Sequence, residues 1–190
     1  MGLITLNDAY RAEAPAAVCL GTFDGVHLGH QALIRKTVTA AREEGLVPTA
    51  FTFDVPPYAF FHPEARGDIL TTVEEKARLM LQYGIRDVIC CPFTGTVGAM
   101  DYRDFFERIL LEQCMAKTIV IGFHFTFGKD ALGNARSLED LCARNGIRLY
   151  VIPPVMTDEG LLISSTAIRH YIRDGDLEAA GKMLGRPVPQ

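Results

Sequence analysis

The chain has no excess of basic residues: 19 Lys and Arg stand against 23 Asp and Glu, a formal charge of -4. Its cations are scattered, with no long basic run, which argues against a nucleic-acid partner. No apolar run approaches membrane-spanning length. Residues 1–15 carry Asn7, Asp8, Arg11 and Glu13 and hold no apolar core of signal-peptide size. Leu6 stands where a myristoylation motif beginning at Met1-Gly2 wants Ser or Thr. The cysteines (Cys19, Cys90, Cys91, Cys114 and Cys142) are odd in number and form no Cys-x-x-Cys. They read as buried free thiols of a cytoplasmic protein, not as disulfides or metal ligands. No Gly-x-Gly-x-x-Gly follows the first apolar strand, and no P-loop sequence occurs, which argues against dinucleotide oxidoreductases and P-loop NTPases. There is no internal repeat and no low-complexity segment.

What is present is an ordinary globular balance, 48% hydrophobic and 22% charged over 190 residues, enough for one domain with a full core. Strand and helix signals alternate. Apolar runs at 16–20, 47–53, 87–92, 118–122 and 147–152 predict five strands. Between them, helical spacing recurs at Leu33, Ile34, Val38 and Ala41, with Gly45 as C-terminal cap. Thr72 and Glu75 form a capping box before an inward face of Val73, Ala77, Met80 and Leu81. Asp101 caps a helix through Tyr102, Phe105, Phe106, Ile109 and Leu110, and Ser137 caps one through Leu138 and Leu141. The long stretch 54–70 reads as an irregular functional loop. Strands each followed by a helix predict a parallel α/β sheet covered on both faces, with ligands at the carboxyl ends of the strands.

The sequence Gly21-Thr22-Phe23-Asp24-Gly25-Val26-His27-Leu28-Gly29-His30 falls where the first predicted strand hands over to a helix. Free N–H groups and the positive helix end make such junctions phosphate sites. Two imidazoles three residues apart share a helix face there. Gly29 lacks a Cβ and lets phosphates approach the backbone. Zinc would need further ligands, and Cys19, His62 and His124 do not offer an obvious set, so no metal site is expected. The chemistry that suits the junction is nucleotidyl transfer, in which donors meet charge developing around the α-phosphorus and the leaving pyrophosphate. A phosphate monoester acceptor is largely ionised at neutral pH, so no general base is required. A second hydroxyl-rich helix start, Ser164-Ser165-Thr166 with Arg169 one turn on, is a second anion site by the same logic. Two aromatic stretches, 53–61 and 123–128, flank the junction and offer stacking surfaces to a flat acceptor.

These residues together resemble the FAD synthetase (FMN adenylyltransferase) module of bacterial bifunctional riboflavin kinase/FAD synthetases. The resemblance runs from Ala17 to Pro187 and includes Leu70-Thr71-Thr72, Pro92-Phe93-Thr94, Phe125-Thr126-Phe127-Gly128 and Ile163-Ser164-Ser165-Thr166. It implies a Rossmann-like doubly wound parallel sheet of the HxGH nucleotidyltransferase type, occupying residues 1–190 as one domain that ends where a riboflavin kinase domain would begin. It implies ATP and FMN as substrates, FAD and pyrophosphate as products, and Mg2+ accompanying ATP. His27, His30 and Arg169 would be catalytic. Gly21, Thr22, Phe23, Gly29, His124, Ser164, Ser165 and Thr166 would bind ATP. Phe53, Pro57, Phe61 and Phe127 would line the flavin pocket. Three positions depart from the family pattern: Val55-Pro56-Pro57 replaces Pro-His-Pro, His124 replaces Asn or Asp, and Ala167 stands where a basic residue is frequent. No membrane partner, and no riboflavin kinase activity, is expected; oligomeric state is not readable. The alternatives are a transferase with a different phosphate acceptor, and a non-catalytic flavin or nucleotide module.

Overall fold

The computed structural model describes residues 2–188. The chain runs β1 (Gly2–Thr5), β2 (Ala16–Leu20), α1 (Leu28–Glu44), β3 (Val47–Phe53), α2 (Pro57–Phe61), a 3-10 turn (Pro63–Asp68), α3 (Val73–Gln82), β4 (Asp87–Cys91), α4 (Gly95–Gly98) and α5 (Tyr102–Asp104). A π-helix (Phe105–Gln113) follows, then β5 (Ala116–Gly122), β6 (Thr126–Phe127), a 3-10 turn (Lys129–Ala131), β7 (Gly133–Asn134), α6 (Ala135–Asn145), β8 (Arg148–Ile152), α7 (Ser165–Arg173) and α8 (Leu177–Leu184). Six strands form one parallel sheet in the order β1-β4-β3-β2-β5-β8. The order reverses between β2 and β5, and open α/β sheets bind ligands outside the strand ends at such a switch point.

Period-two alternation divides the core. Val18, Leu20, Ile119 and Ile121 face the π-helix and α6 through Phe106, Leu110 and Leu138. Cys19, Ala50, Val88 and Val120 face α1 and α3 through Ile34, Ala77 and Met80. A smaller cluster of Ile163, Ile168, Ala180, Met183 and Leu184 holds α7 against α8. All five cysteines are buried and free. Among the described residues no helix is long and apolar enough to cross a membrane.

Several elements differ from the sequence expectation. The sheet gains a sixth strand, β1, at its edge. Its four residues alternate half-buried and exposed, too short a signal to read without the partner β4. The stretch 54–70 is not irregular throughout but holds α2 and a 3-10 turn. Loop 123–135 contains the β6–β7 hairpin. The helix after Asp101 becomes π-helical from Phe105. The Cys114 N–H reaches back five residues to the Ile109 carbonyl at 2.9 Å, and Phe105 and Leu110, also five apart, are both buried. Asn134, not Ser137, caps α6. Its Oδ1 accepts from Arg136 and Ser137 N–H groups, while the Ser137 hydroxyl accepts from the Asn134 N–H. On α3 the capping box is as expected, but Leu81 is 36% exposed and Lys76 is 2% exposed.

Candidate active site

The carboxyl ends of β2, β3, β5 and β8 open into a cavity of about 580 Å³, within the usual range for small-molecule sites. Its lining includes Gly21, Thr22, His27, Gly29 and His30 from the junction, together with an aromatic wall of Phe53, Phe61, Phe93, Phe125 and Phe127 and with Pro57. His124 and Ser164 also line it. Phe125 and Phe127 stack nearly parallel, with centroids 5.5 Å apart. The exposed rings of Phe61 and Phe123 stand at this same wall.

His27 is the N-cap of α1. Its Nδ1 accepts from the His30 N–H at 3.4 Å, and the two rings stack with centroids 3.7 Å apart. The edge of Phe23 meets His30 at 5.2 Å. Burial lowers the His27 pKa to about 4, helped by the nearby charges of Arg169 and Arg186. Burial, then His27 and Lys76, hold His30 well below the ordinary histidine value. Both imidazoles are therefore neutral at pH 7, and His27, with Nδ1 accepting, carries its proton on Nε2. Gly29 lines the cavity and also has a packing role. A Cβ there would stand 3.0 Å from His27 Cε1, so the glycine makes room for the stacked imidazole.

Four of the expected residues do not line the cavity. Phe23 is fully buried beneath the junction. The Ser165 hydroxyl donates to the Asp24 carbonyl at 2.9 Å. Arg169 Nη2 donates to Thr166 Oγ1 at 3.2 Å, and its Nη1 donates to Asp24 Oδ2 at 3.0 Å and to the Tyr58 hydroxyl at 3.3 Å. Ser164 caps α7 by accepting from the Ala167 N–H at 3.2 Å. The second hydroxyl-rich helix start thus reaches the cavity through Ser164, while Ser165, Thr166 and Arg169 are joined to the first site through Asp24.

Asp24 is the residue that sequence reasoning passed over. Its Oδ1 accepts from the Leu70 N–H at 2.8 Å and the Thr71 N–H at 3.2 Å, and the Tyr58 hydroxyl donates to Oδ2 at 3.3 Å. Burial pushes its carboxyl up; the Leu70 amide and Arg169 pull it back. One carboxylate thereby joins the junction loop, the segment before α3 and α7. Lys76 was also missed. Its Nζ donates to the carbonyls of Phe53 at 2.6 Å and Thr22 at 3.1 Å, tying two strand ends beneath the cavity, and burial lowers its pKa. Helical spacing from Val73 to Lys76 to Met80 was the available signal.

A family model described as FAD synthetase matches residues 10–167. The FAD synthetase of Listeria monocytogenes is 33% identical over 173 residues, 90% of this chain and 69% of that protein. The bifunctional riboflavin kinase/FMN adenylyltransferase of Buchnera aphidicola is 28% identical over 182 residues, 96% of this chain and 58% of that protein. The chain thus spans little more than half of such bifunctional relatives. Among solved structures, one from Streptococcus pneumoniae described as a macrolide-efflux protein aligns with TM-score 0.87 and 31% identity, over 99% of this chain and 61% of that one. The pantoate-beta-alanine ligase of Francisella tularensis aligns with TM-score 0.53 and 12% identity, over 94% of this chain and 80% of that one, a likeness of fold.

Proposed function

The chain belongs to the FAD synthetase family, and from that premise we propose that it transfers AMP from ATP to FMN, giving FAD and pyrophosphate. The observation that carries this reading is a single cavity lined by both the His27–His30 junction and the phenylalanine wall. The junction suits the phosphates, and the wall suits a flat isoalloxazine ring.

In this reading Phe53, Pro57, Phe61 and Phe127 hold the flavin, and its phosphate is turned towards Gly21, Thr22 and His27. An ionised phosphate oxygen of FMN attacks the α-phosphorus of ATP, an O–P bond forms, and the bond to pyrophosphate breaks. No proton need be removed first, because a phosphate monoester's second pKa is about 6. His27 Nε2–H and His30 donate to the α-phosphate and the leaving pyrophosphate as neutral donors. Gly21, Thr22 and Gly29 line the loop around the triphosphate with Phe23 buried beneath it, while Ser164 closes it from the start of α7 and Ser165 and Thr166 brace that start through Asp24 and Arg169. Arg169 supplies positive charge at the far edge, and His124 stands at the mouth near the nucleotide. Mg2+ enters as part of MgATP; among the described residues no three His, Cys, Asp or Glu side chains gather as a metal cage, and magnesium at such sites is held largely by substrate phosphates and water. The buried free thiols support a cytoplasmic location, and the net negative charge supports small molecules as partners in preference to nucleic acid.

The test is folded protein incubated with MgATP and FMN, with FAD resolved chromatographically and pyrophosphate assayed in parallel. FAD and pyrophosphate in equal amounts are expected. Pyrophosphate release with another phosphate monoester but not with FMN would replace the acceptor. Flavin binding without turnover would replace catalysis by a binding role. His27→Ala should abolish turnover while leaving flavin binding nearly intact.

A further inference from the structure

The turn that carries His27 is strained, and it is held from the far end of the chain. Phe23, Gly25 and Val26 adopt φ of 50°, 83° and 41°. A β-branched residue in this region is an outlier that persists only where its surroundings over-determine it. On one side the Gly25 N–H donates to Thr71 Oγ1 at 2.9 Å, beside the Asp24 contacts described above. On the other side the holding groups come from the residues after α8. Arg186 Nη2 donates to the Gly25 carbonyl at 2.7 Å, and Nη1 donates to the Val26 carbonyl at 3.4 Å. Gln31 Nε2 joins the same Val26 carbonyl, at 3.1 Å, to the Leu184 carbonyl at 3.0 Å. The end of α8 is seated on the first turn of α1: a Cβ on Gly185 would lie 2.7 Å from Leu28 Cδ2. Arg186 lies beyond the span 10–167 that the family model matches.

We propose that Arg186 is a positioning residue of the nucleotidyl-transfer site. It fixes the carbonyls of Gly25 and Val26, so that His27 stands at the cavity with its Nδ1 held by the His30 N–H. It touches no substrate. A guanidinium fork reaches two successive carbonyls from one planar group, which the single ammonium of lysine does not reproduce. The kinetic part of this inference rests on the adenylyl-transfer reading; the structural part does not.

The test compares Arg186→Ala and Arg186→Lys with wild type and with Lys182→Ala, a control on α8 that removes only an exposed pair with Glu178. Arg186→Ala should lower kcat for FAD formation by about tenfold to a hundredfold, the scale of a misplaced catalytic group. KM for FMN should change by less than about twofold, since the flavin wall is untouched. Arg186→Lys should recover only part of the loss, and millimolar guanidinium should restore part of the activity of Arg186→Ala. By hydrogen–deuterium exchange, Arg186→Ala should speed exchange across residues 22–30 while residues 135–145, on the other face of the sheet, keep wild-type rates. Lys182→Ala should match wild type in every measurement. Unchanged kcat with unchanged exchange would overturn the proposal. So would exchange rising equally in both segments, because that is general loss of stability. If wild type forms no FAD, the adenylyl-transfer reading fails, while the exchange comparison still decides whether Arg186 holds the loop.

Discussion

Replacing Asp24 with Asn tests whether the site is organised around one buried charge. The carboxylate side chain is 2% exposed and its partner Arg169 is 15% exposed, so the pair is shielded from water. An asparagine keeps an oxygen for the Leu70 and Thr71 N–H groups but turns an NH2 towards the guanidinium, which then has no counter-charge there. Removing one partner of a buried pair costs about 3–5 kcal/mol, and retention of the two amide contacts places Asp24→Asn near the lower end. For a chain of this size each kcal/mol corresponds to roughly 2–4 °C, so the melting temperature should fall by about 6–12 °C. The assay is thermal unfolding followed by circular dichroism, at neutral pH and fixed salt. The decisive arm is the double variant Asp24→Asn/Arg169→Met, which removes both charges. It should be more stable than the sum of the single variants predicts, by about 1 kcal/mol or more. A fall of less than about 2 °C in the single variant, or strict additivity in the cycle, would refute the reasoning.

Gly29→Ala should retain the fold yet lower turnover by about tenfold or more by displacing the His27 ring, read as kcat against an unchanged melting temperature. Lys76→Met keeps the apolar stem but loses charge-assisted bonds to the Phe53 and Thr22 carbonyls, and should destabilise by about 2 kcal/mol, checked by urea unfolding. Stability should also depend on His27 between pH 6.5 and 4. With the folded pKa at about 4 and the unfolded value near 6.5, the unfolded chain binds the extra proton in this window, so stability is fully present above 6.5 and is lost as the pH falls towards 4. His27→Gln should flatten that segment of the stability–pH curve; an identical slope in the variant would sink the assignment.

The legible and illegible features differ in range. The strand over Val47–Phe53, the Thr72–Glu75 capping box and the Gly45 cap are local patterns, read within a few residues. The aromatic stretches and the His27–His30 junction were also visible, because strand order brings all strand ends to one edge and the motif types are specific. What escaped depends on partners far along the chain. β1 exists only because β4 lies beside it. Asp24 reads as one letter inside a glycine-rich turn until Leu70, Thr71 and Arg169 converge on it. The π-helix escaped for a different reason: Tyr102, Phe105, Phe106, Ile109 and Leu110 fit an i, i+3, i+4 pattern, and only packing against the sheet selects the five-residue spacing.

The same geometry bears on how adenylyl transfer would be driven. Lys76, Arg169 and Arg186 place three cationic side chains around the junction, and each is already held by protein oxygens: carbonyls for Lys76 and Arg186, the Asp24 carboxylate and hydroxyls for Arg169. Their charge is fixed before any nucleotide arrives, so little reorganisation is needed as charge develops. Burial first, and that field second, keep His27 and His30 neutral. A neutral imidazole cannot serve as a strong acid at pH 7, but with its proton fixed on Nε2 it is a directed donor. Positioning and charge stabilisation would then carry the proposed transfer, consistent with an acceptor phosphate that needs no base. The strained turn at Val26 fits the same logic, because it holds the imidazole in place in the absence of substrate.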